Sequence, residues 1–199
     1  MTYNKPDTKL DECIYVAEKV IPADLCDAIV QDIEKRPWKP HQWYNVVTDT
    51  NRSEETMELD VQHAVPELHK AITPFVVEAG KKYCSNYQFP YRHQPDRTGQ
   101  FMNQFSALRF NRYAPGQIMR QHHDHIHSLF DGKIKGVPVL TFILNFNDDY
   151  EGADLYFWED TMVKLGKGDI IMFPSNWLFP HGVDEATKGV RYSGSVWGW

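Results

Sequence analysis

Three cysteines, Cys13, Cys26 and Cys84, are the only thiols in 199 residues. An odd, scattered set makes no disulfide framework, and no CxxC pair offers a zinc ribbon or a dithiol redox centre. Reduced thiols in a cytoplasmic protein are the expectation. Apolar runs are short: none approaches the roughly 20 residues that cross a bilayer. The opening MTYNKPDTKLDEC lacks the apolar stretch of a secretory signal, so no membrane partner is expected. Positive charge is in deficit, 21 Lys and Arg against 27 Asp and Glu for a net charge of −6, so no bulk field draws the chain to nucleic acid. HExxH, GxSxG, P-loop and GxGxxG motifs are missing too, which leaves zinc-protease, serine-nucleophile and nucleotide-fold chemistry without support.

What is present suits a globular chain: 42% apolar and 14% aromatic residues. The length predicts a single domain over 1–199, with helical support in 1–104 and a β core in 105–199. PADLCDAIVQDIEK repeats Leu25, Ile29 and Ile33 at helical spacing, with Pro22 suited to the first turn. PELHKAITPFVVEAGKKY does the same through Leu68, Ile72, Phe75 and Ala79, and Pro74 is expected to kink or split it. From residue 105 onward, short stretches rich in β-branched and aromatic residues alternate with turns. They give eight candidate strands: 105–113, 117–125, 137–146, 153–158, 161–165, 168–173, 178–184 and 189–197. Helices followed by strands argue for an α+β fold, and eight strands suit a jelly roll, with the N-terminal helices packed on it.

The stretch NRYAPGQIMRQHHDHIH (111–127) holds four of the nine histidines within six residues. On a strand, side chains alternate between faces, so His122 and Asp124 share one face while His123, His125 and His127 point away. One imidazole and one carboxylate at the same point are two thirds of a 2-His-1-carboxylate iron site. The third ligand must come from elsewhere. His181 lies in an apolar strand, Arg191 follows ten positions later, and Ser193 shares its face. A guanidinium beside a hydroxyl is a receptor for a carboxylate. Metal and clamp together suggest a chelating dicarboxylic acid held between them.

With His122, Asp124, His181 and Arg191 in that order and spacing, the C-terminal half resembles the Fe(II)/2-oxoglutarate-dependent oxygenases. RYSGSVW resembles that superfamily's Arg-x-Ser ending. LNFNDDYEGADLYF and LGKGDIIMFPSNWLFPHGV resemble stretches of its prolyl 4-hydroxylase-like branch, with Gly152-Ala153 in place of the commoner Gly-Gly. NRYAPG resembles the Asn-x-Tyr segment of AlkB-type nucleic-acid demethylases, which makes Asn111 and Tyr113, on one face with Arg109, candidate co-substrate contacts. Those enzymes carry a second arginine six residues after the first, where this chain has Trp197. That departure and the acidic charge favour the prolyl-hydroxylase-like branch.

The resemblance implies a double-stranded β-helix (jelly-roll) core, Fe(II) on His122, Asp124 and His181, and 2-oxoglutarate and O2 as co-substrates. It also implies Arg191, helped by Ser193, on the far carboxylate. The expected activity is hydroxylation of a prolyl or other amino-acid residue in a protein or peptide, or of a small metabolite, with release of succinate and CO2. A nucleobase oxygenase and a non-catalytic, metal-holding interaction module are the alternatives. Candidate substrate walls are the 86–104 and 128–136 loops and Trp158; Trp38 and Trp43 could instead anchor the N-terminal helices. Oligomeric state stays open.

Overall fold

The computed structural model describes residues 9–45, 50–52, 57–86, 102, 104–124 and 138–199. The first half is not only helical. Strand β1 (Tyr15–Ala17) precedes helix α1 (Ala23–Ile33); short strands β2 (Lys39–Pro40), β3 (Trp43–Asn45), β4 (Thr50–Arg52) and β5 (Asp60–His63) lead to helix α2 (Pro66–Asn86). Helical support over 1–104 is thus corrected: β1, β2 and β5 join the main sheet. These strands are two to four residues long, too short for a period of two to show in the sequence.

The second half carries β6 (Arg109–Tyr113), β7 (Met119–His122), β8 (Leu140–Asn145), β9 (Glu151–Gly152) and β10 (Leu155–Phe157). After these come β11 (Thr161–Val163), β12 (Ile170–Pro174), β13 (His181–Val183), β14 (Ala186–Lys188) and β15 (Arg191–Gly198). All eight sequence-derived strands have a counterpart, and β9 and β14 pair as an additional short ribbon. The strand expected over 117–125 is shorter, ending at His122, so Asp124 sits just beyond it. His125, His127 and the 128–136 loop lie outside the described residues, as does most of the 86–104 loop.

Two antiparallel sheets dominate. One runs β1-β12-β8-β15-β6-β5-β2 and the other β11-β10-β13-β7. Alternation along the central strands explains how both faces of the larger sheet are used. Phe110, Phe142, Leu144, Met172, Tyr192 and Val196 point to one side, sharing a buried apolar cluster with Cys26, Ile29 and Ile33 of α1 and Ile72, Val76 and Ala79 of α2. Tyr113, Ile143, Ile171 and Phe173 point to the other, clustering with Met119, Leu155, Phe157 and Val183 of the smaller sheet. Two sheets around a shared filling give the jelly-roll arrangement. Helix α2 runs unbroken through Pro74, correcting the expected split. Proline there removes one helical donor, and packing of Ile72, Val76 and Ala79 holds the helix across the gap. No described helix is long and apolar enough to cross a membrane.

Candidate active site

Between the sheets, the inner face of β6, β8 and β15 is polar where a core strand is normally apolar. Arg191 stands opposite Tyr113, Ser193 between Asn111 and Asn145, Ser195 between Arg109 and Ile143, and Trp197 opposite Thr141. This grid floors a pocket of about 390 Å³, counting the space open to solvent. Its wall from the smaller sheet brings His122, Asp124 and His181.

The register of β7 against β13 sets His122 directly opposite His181, with ring centroids 4.4 Å apart. Gly182 permits that approach, since a Cβ there would meet the Met119 carbonyl oxygen at 2.8 Å and the Tyr156 hydroxyl. Asp124 completes the group: Oδ1 is 3.6 Å from His122 Nε2 and Oδ2 is 3.8 Å from His181 Nε2. The three candidate ligand atoms lie within 4.8 Å of one another.

Their chemistry suits a divalent ion. A carbonyl can only accept, so His122 Nδ1 donates to the Arg120 carbonyl at 2.8 Å and His181 Nδ1 to that of Phe179 at 3.0 Å. Each ring therefore turns a bare Nε2 lone pair toward the shared point, the tautomer a metal needs. Thr141 Oγ1 donates to Asp124 Oδ2 at 2.6 Å. Having spent its proton there, Thr141 accepts from Ser175, also at 2.6 Å. Burial pushes the His181 pKa down to about 4, partly opposed by the Asp124 charge. Burial would raise the Asp124 carboxyl, but the adjacent His122 and His181 rings and the Thr141 hydroxyl hold it well below the ordinary carboxylate range. A neutral His181 imidazole beside an ionised Asp124 carboxylate is the protonation state that metal binding needs.

Arg191 lies at the other end of the pocket and is 1% exposed. Its Nε donates to Asn145 Oδ1 at 3.0 Å and its Nη1 to the Ala153 carbonyl at 2.7 Å, while the rings of Tyr113 and Tyr150 face the guanidinium. Ala153 adopts φ +51°, a left-handed conformation that costs an alanine about 1–2 kcal/mol. The Gly-Ala departure thus sits in the turn whose carbonyl holds Arg191. Among the described residues no carboxylate pairs with this buried cation, and it keeps donor capacity for an anion.

The other expected contacts divide. Asn111 and Tyr113 line the pocket. Asn111 accepts from Arg109 Nε at 3.1 Å and donates to Ser195 Oγ at 2.9 Å. Ser193 is buried beneath them, 3.5 Å from Asn111 Nδ2, and is not part of the pocket lining; it buttresses the floor. Trp158 is not in the lining either. It lies against Phe157 and Phe179 and donates its indole N–H to the Leu178 carbonyl. The two N-terminal tryptophans separate: Trp38 packs on Tyr192, away from the pocket, whereas Trp43 meets His122 edge-on at 5.2 Å. Sequence reasoning missed Thr141, Asn145, Ser195 and the pocket role of Arg109. Only Arg109 left a signal, its alternation with Asn111 and Tyr113.

A family model for the 2OG-Fe(II) oxygenase superfamily matches residues 108–199. Over those residues the chain is similar to that superfamily. Among curated proteins, the chain is similar to a PKHD-type hydroxylase of Acinetobacter baumannii, 35% identical over 95 residues, covering 44% of this chain and 40% of that one. It is also similar to prolyl 4-hydroxylase 1 of Arabidopsis thaliana, 30% identical over 107 residues, covering 43% and 38%. The chain thus spans about two fifths of the length of the curated relatives it matches. Among solved structures, a viral collagen prolyl hydroxylase of Paramecium Bursaria Chlorella virus-1 aligns with a TM-score of 0.63 at 16% identity, covering 93% of this chain and 94% of that one. A Pseudomonas putida prolyl-4-hydroxylase aligns at 0.61 and 20%, covering 94% and 91%. The solved structures place the fold, and the family match lies in the second half of the chain.

Proposed function

We propose that the protein is a 2-oxoglutarate-dependent hydroxylase acting on a prolyl or other amino-acid carbon, in a peptide or as a small metabolite. The observation that carries this reading is one pocket with two ends: the His122–Asp124–His181 set at one, and a buried, carboxylate-free Arg191 at the other. The names of the curated relatives support the substrate class.

His122, Asp124 and His181 would hold Fe(II), and Arg191 would take the far carboxylate of 2-oxoglutarate. Fe(II) held there would supply the oxidising chemistry, with O2 and 2-oxoglutarate consumed so that one oxygen atom enters a substrate C–H bond and the other ends in succinate with release of CO2. The protein's own part is positional and electrostatic. Arg120 and Phe179 fix the imidazole tautomers through their carbonyls, and Thr141 orients Asp124. Asn145 and Ala153 aim the Arg191 guanidinium before any ligand arrives, so no reorganisation opposes binding. Tyr113, Met119, Ile143, Leu155 and Val183 keep the slot between the two ends largely apolar, which strengthens the charge pairing within it.

The test needs no substrate. Fe(II) and then 2-oxoglutarate are titrated anaerobically into metal-free protein, and the weak visible charge-transfer band of the chelate is followed. Formation of the band in the wild type and its loss in Asp124→Ala are expected, together with loss of 2-oxoglutarate-dependent succinate release in that variant. Metal binding without a band, or undiminished succinate in Asp124→Ala, would refute the proposal.

A further inference from the structure

Arg191 is not the only guanidinium in the pocket. Arg109 also lines it, at the end nearer the metal-ligand set, where the Asp124 charge acts on it. Its Cα partner on β15 is Ser195, four residues along the ladder from Arg191, which places the two arginines about 13 Å apart at the backbone. Its head is held from two sides. Nε donates to Asn111 Oδ1 at 3.1 Å, and the guanidinium lies over the Trp197 ring, 5.3 Å from the centroid. Asn111 is fixed in turn by Ser195. Among the described residues no carboxylate forms an ion pair with Arg109, and the bond to Asn111 uses only one of its five N–H groups.

Charge balance gives this arginine a task. The described charged groups lining the pocket are two guanidiniums and one carboxylate, Asp124. An imidazole that holds a metal through its Nε2 is neutral, so His122 and His181 add no charge to the assembled site. A ferrous ion adds two positive charges and 2-oxoglutarate removes two, so one uncompensated positive charge remains. A diacid whose far carboxylate occupies Arg191 and whose near end occupies the ligand set does not need Arg109. Arg109 is half-buried there, and a second anion that meets it would bring the assembled site to neutrality.

We infer that Arg109 is a specificity-determining residue that receives a carboxylate of the primary substrate, so that the enzyme acts on a free amino acid or a chain-terminal residue and not on an internal residue of a polypeptide. This rests on the 2-oxoglutarate-dependent reading above and narrows its substrate class. The contact with Trp197 suits the role. With its carbon over that ring and its Nε on Asn111, the guanidinium keeps its terminal N–H groups for two-pronged pairing with a carboxylate. Trp197 occupies the position where a second arginine would stand in an AlkB-type sequence, so the charge is delivered here from the neighbouring strand.

The test uses the Fe(II)- and 2-oxoglutarate-loaded protein and three matched sets of probes: the twenty free L-amino acids, Gly-X dipeptides with the same residues at the free C-terminus, and the α-amides of those amino acids. Stimulated decarboxylation of 2-oxoglutarate is measured in air. Anaerobic binding is read separately from tryptophan fluorescence, for which Trp197 is a built-in reporter. At least one acid is expected to bind and stimulate, with its amide at least tenfold weaker, and the free amino acids and dipeptides then tell the two carboxylate sources apart. Arg109→Gln should erase the acid-over-amide preference while the charge-transfer band still forms at wild-type 2-oxoglutarate concentrations, and Arg109→Lys should restore part of the preference. Amides as effective as acids, no response to any acid, or an acid preference unchanged in Arg109→Gln would overturn the inference. Loss of the band in Arg109→Gln would overturn it differently, by assigning Arg109 to the co-substrate. Absence of the band from the wild type would instead remove the parent reading, and this inference with it.

Discussion

Acid should destabilise the metal-free protein well before its carboxylates titrate. Two buried histidines carry the effect. Burial holds His181 at about 4, and it holds His41, which also faces Arg109, His122 and Arg120, at about 3. In the unfolded chain both return to about 6.5. As the pH falls below 6.5, the unfolded state takes up both protons while the folded state refuses them. Stability is therefore complete above pH 6.5 and is lost on acidification through the window down to about 4 for His181 and about 3 for His41. At pH 5 the loss is 1.5 pH units for each histidine, about 2 kcal/mol apiece and about 4 kcal/mol together. Asp124 adds nothing to this slope: its folded pKa lies below its unfolded one, so its contribution fades only as pH falls below about 4. Against a total of roughly 5–15 kcal/mol, the drop is large enough to measure and can be decisive. Urea unfolding of chelator-treated protein at pH 7.5, 6.5, 5.5 and 5.0 provides the assay. His41→Phe, which keeps an aromatic ring against Trp43, should halve the fall. An unfolding free energy that stays flat between pH 7 and 5, or an undiminished slope in His41→Phe, would refute the reasoning.

Three substitutions probe the site's supports. Thr141→Val keeps the shape but removes the 2.6 Å donor to Asp124 and leaves Ser175 without its acceptor; Fe(II) affinity, read by competition with a chromophoric chelator, should fall about 10–100-fold, and an unchanged affinity would rule out orientation by Thr141. Arg191→Lys replaces a planar fork by a point charge and frees Asn145 Oδ1 and the Ala153 carbonyl; 2-oxoglutarate binding should weaken at least about tenfold in the anaerobic band titration, with Fe(II) affinity unchanged. Gly182→Ala drives a methyl group into the Met119 carbonyl and Tyr156, prying β7 from β13; about 1–3 kcal/mol of stability and most of the metal affinity should be lost, by urea unfolding and chelator competition.

How much of this was legible in the sequence follows from which contacts are periodic. His122 and Asp124 could be paired because a strand repeats every two residues. Arg191 and Ser193 share a face for the same reason, although their roles differ, since Ser193 is buried under Asn111. His181 could be singled out by its spacing to Arg191, but its register against His122 belongs to the sheet. Thr141 and Asn145 were hidden for a physical reason. β8 reads LTFILN and is buried on both faces, so hydrophobicity gives no clue as to which residues face the pocket. Arg109 escaped because its meaning lies in pairing across 86 positions with Ser195, the strand partner that sets it beside Trp197. Trp158, an aromatic next to a turn, looked like a wall residue; its φ of +55° instead turns it onto Phe179.

The distribution of polarity explains why the fold tolerates such a site. A seam of Arg109, Asn111, Thr141, Asn145, Arg191 and Ser195 lies between two sheets where apolar residues would stabilise the protein more. These groups escape the full desolvation penalty because each is bonded to a neighbour on the grid. Asn145 illustrates this: it accepts from Arg191 and donates to the carbonyls of Asn147 and Leu165. The apolar burial that offsets the remainder sits on the opposite face of the same strands, where Phe110, Phe142, Leu144 and Val196 meet the two helices. Much of the apolar burial thus lies behind the chemistry, on the helix side of the same sheet. A side chain on the inner face can change the ligand charge without disturbing the core behind it, and a side chain on the outer face can change stability without touching the pocket. Arg109 lies on the inner face and packs on Trp197 without entering the helical core, which is why its replacement should alter substrate choice and leave the fold intact.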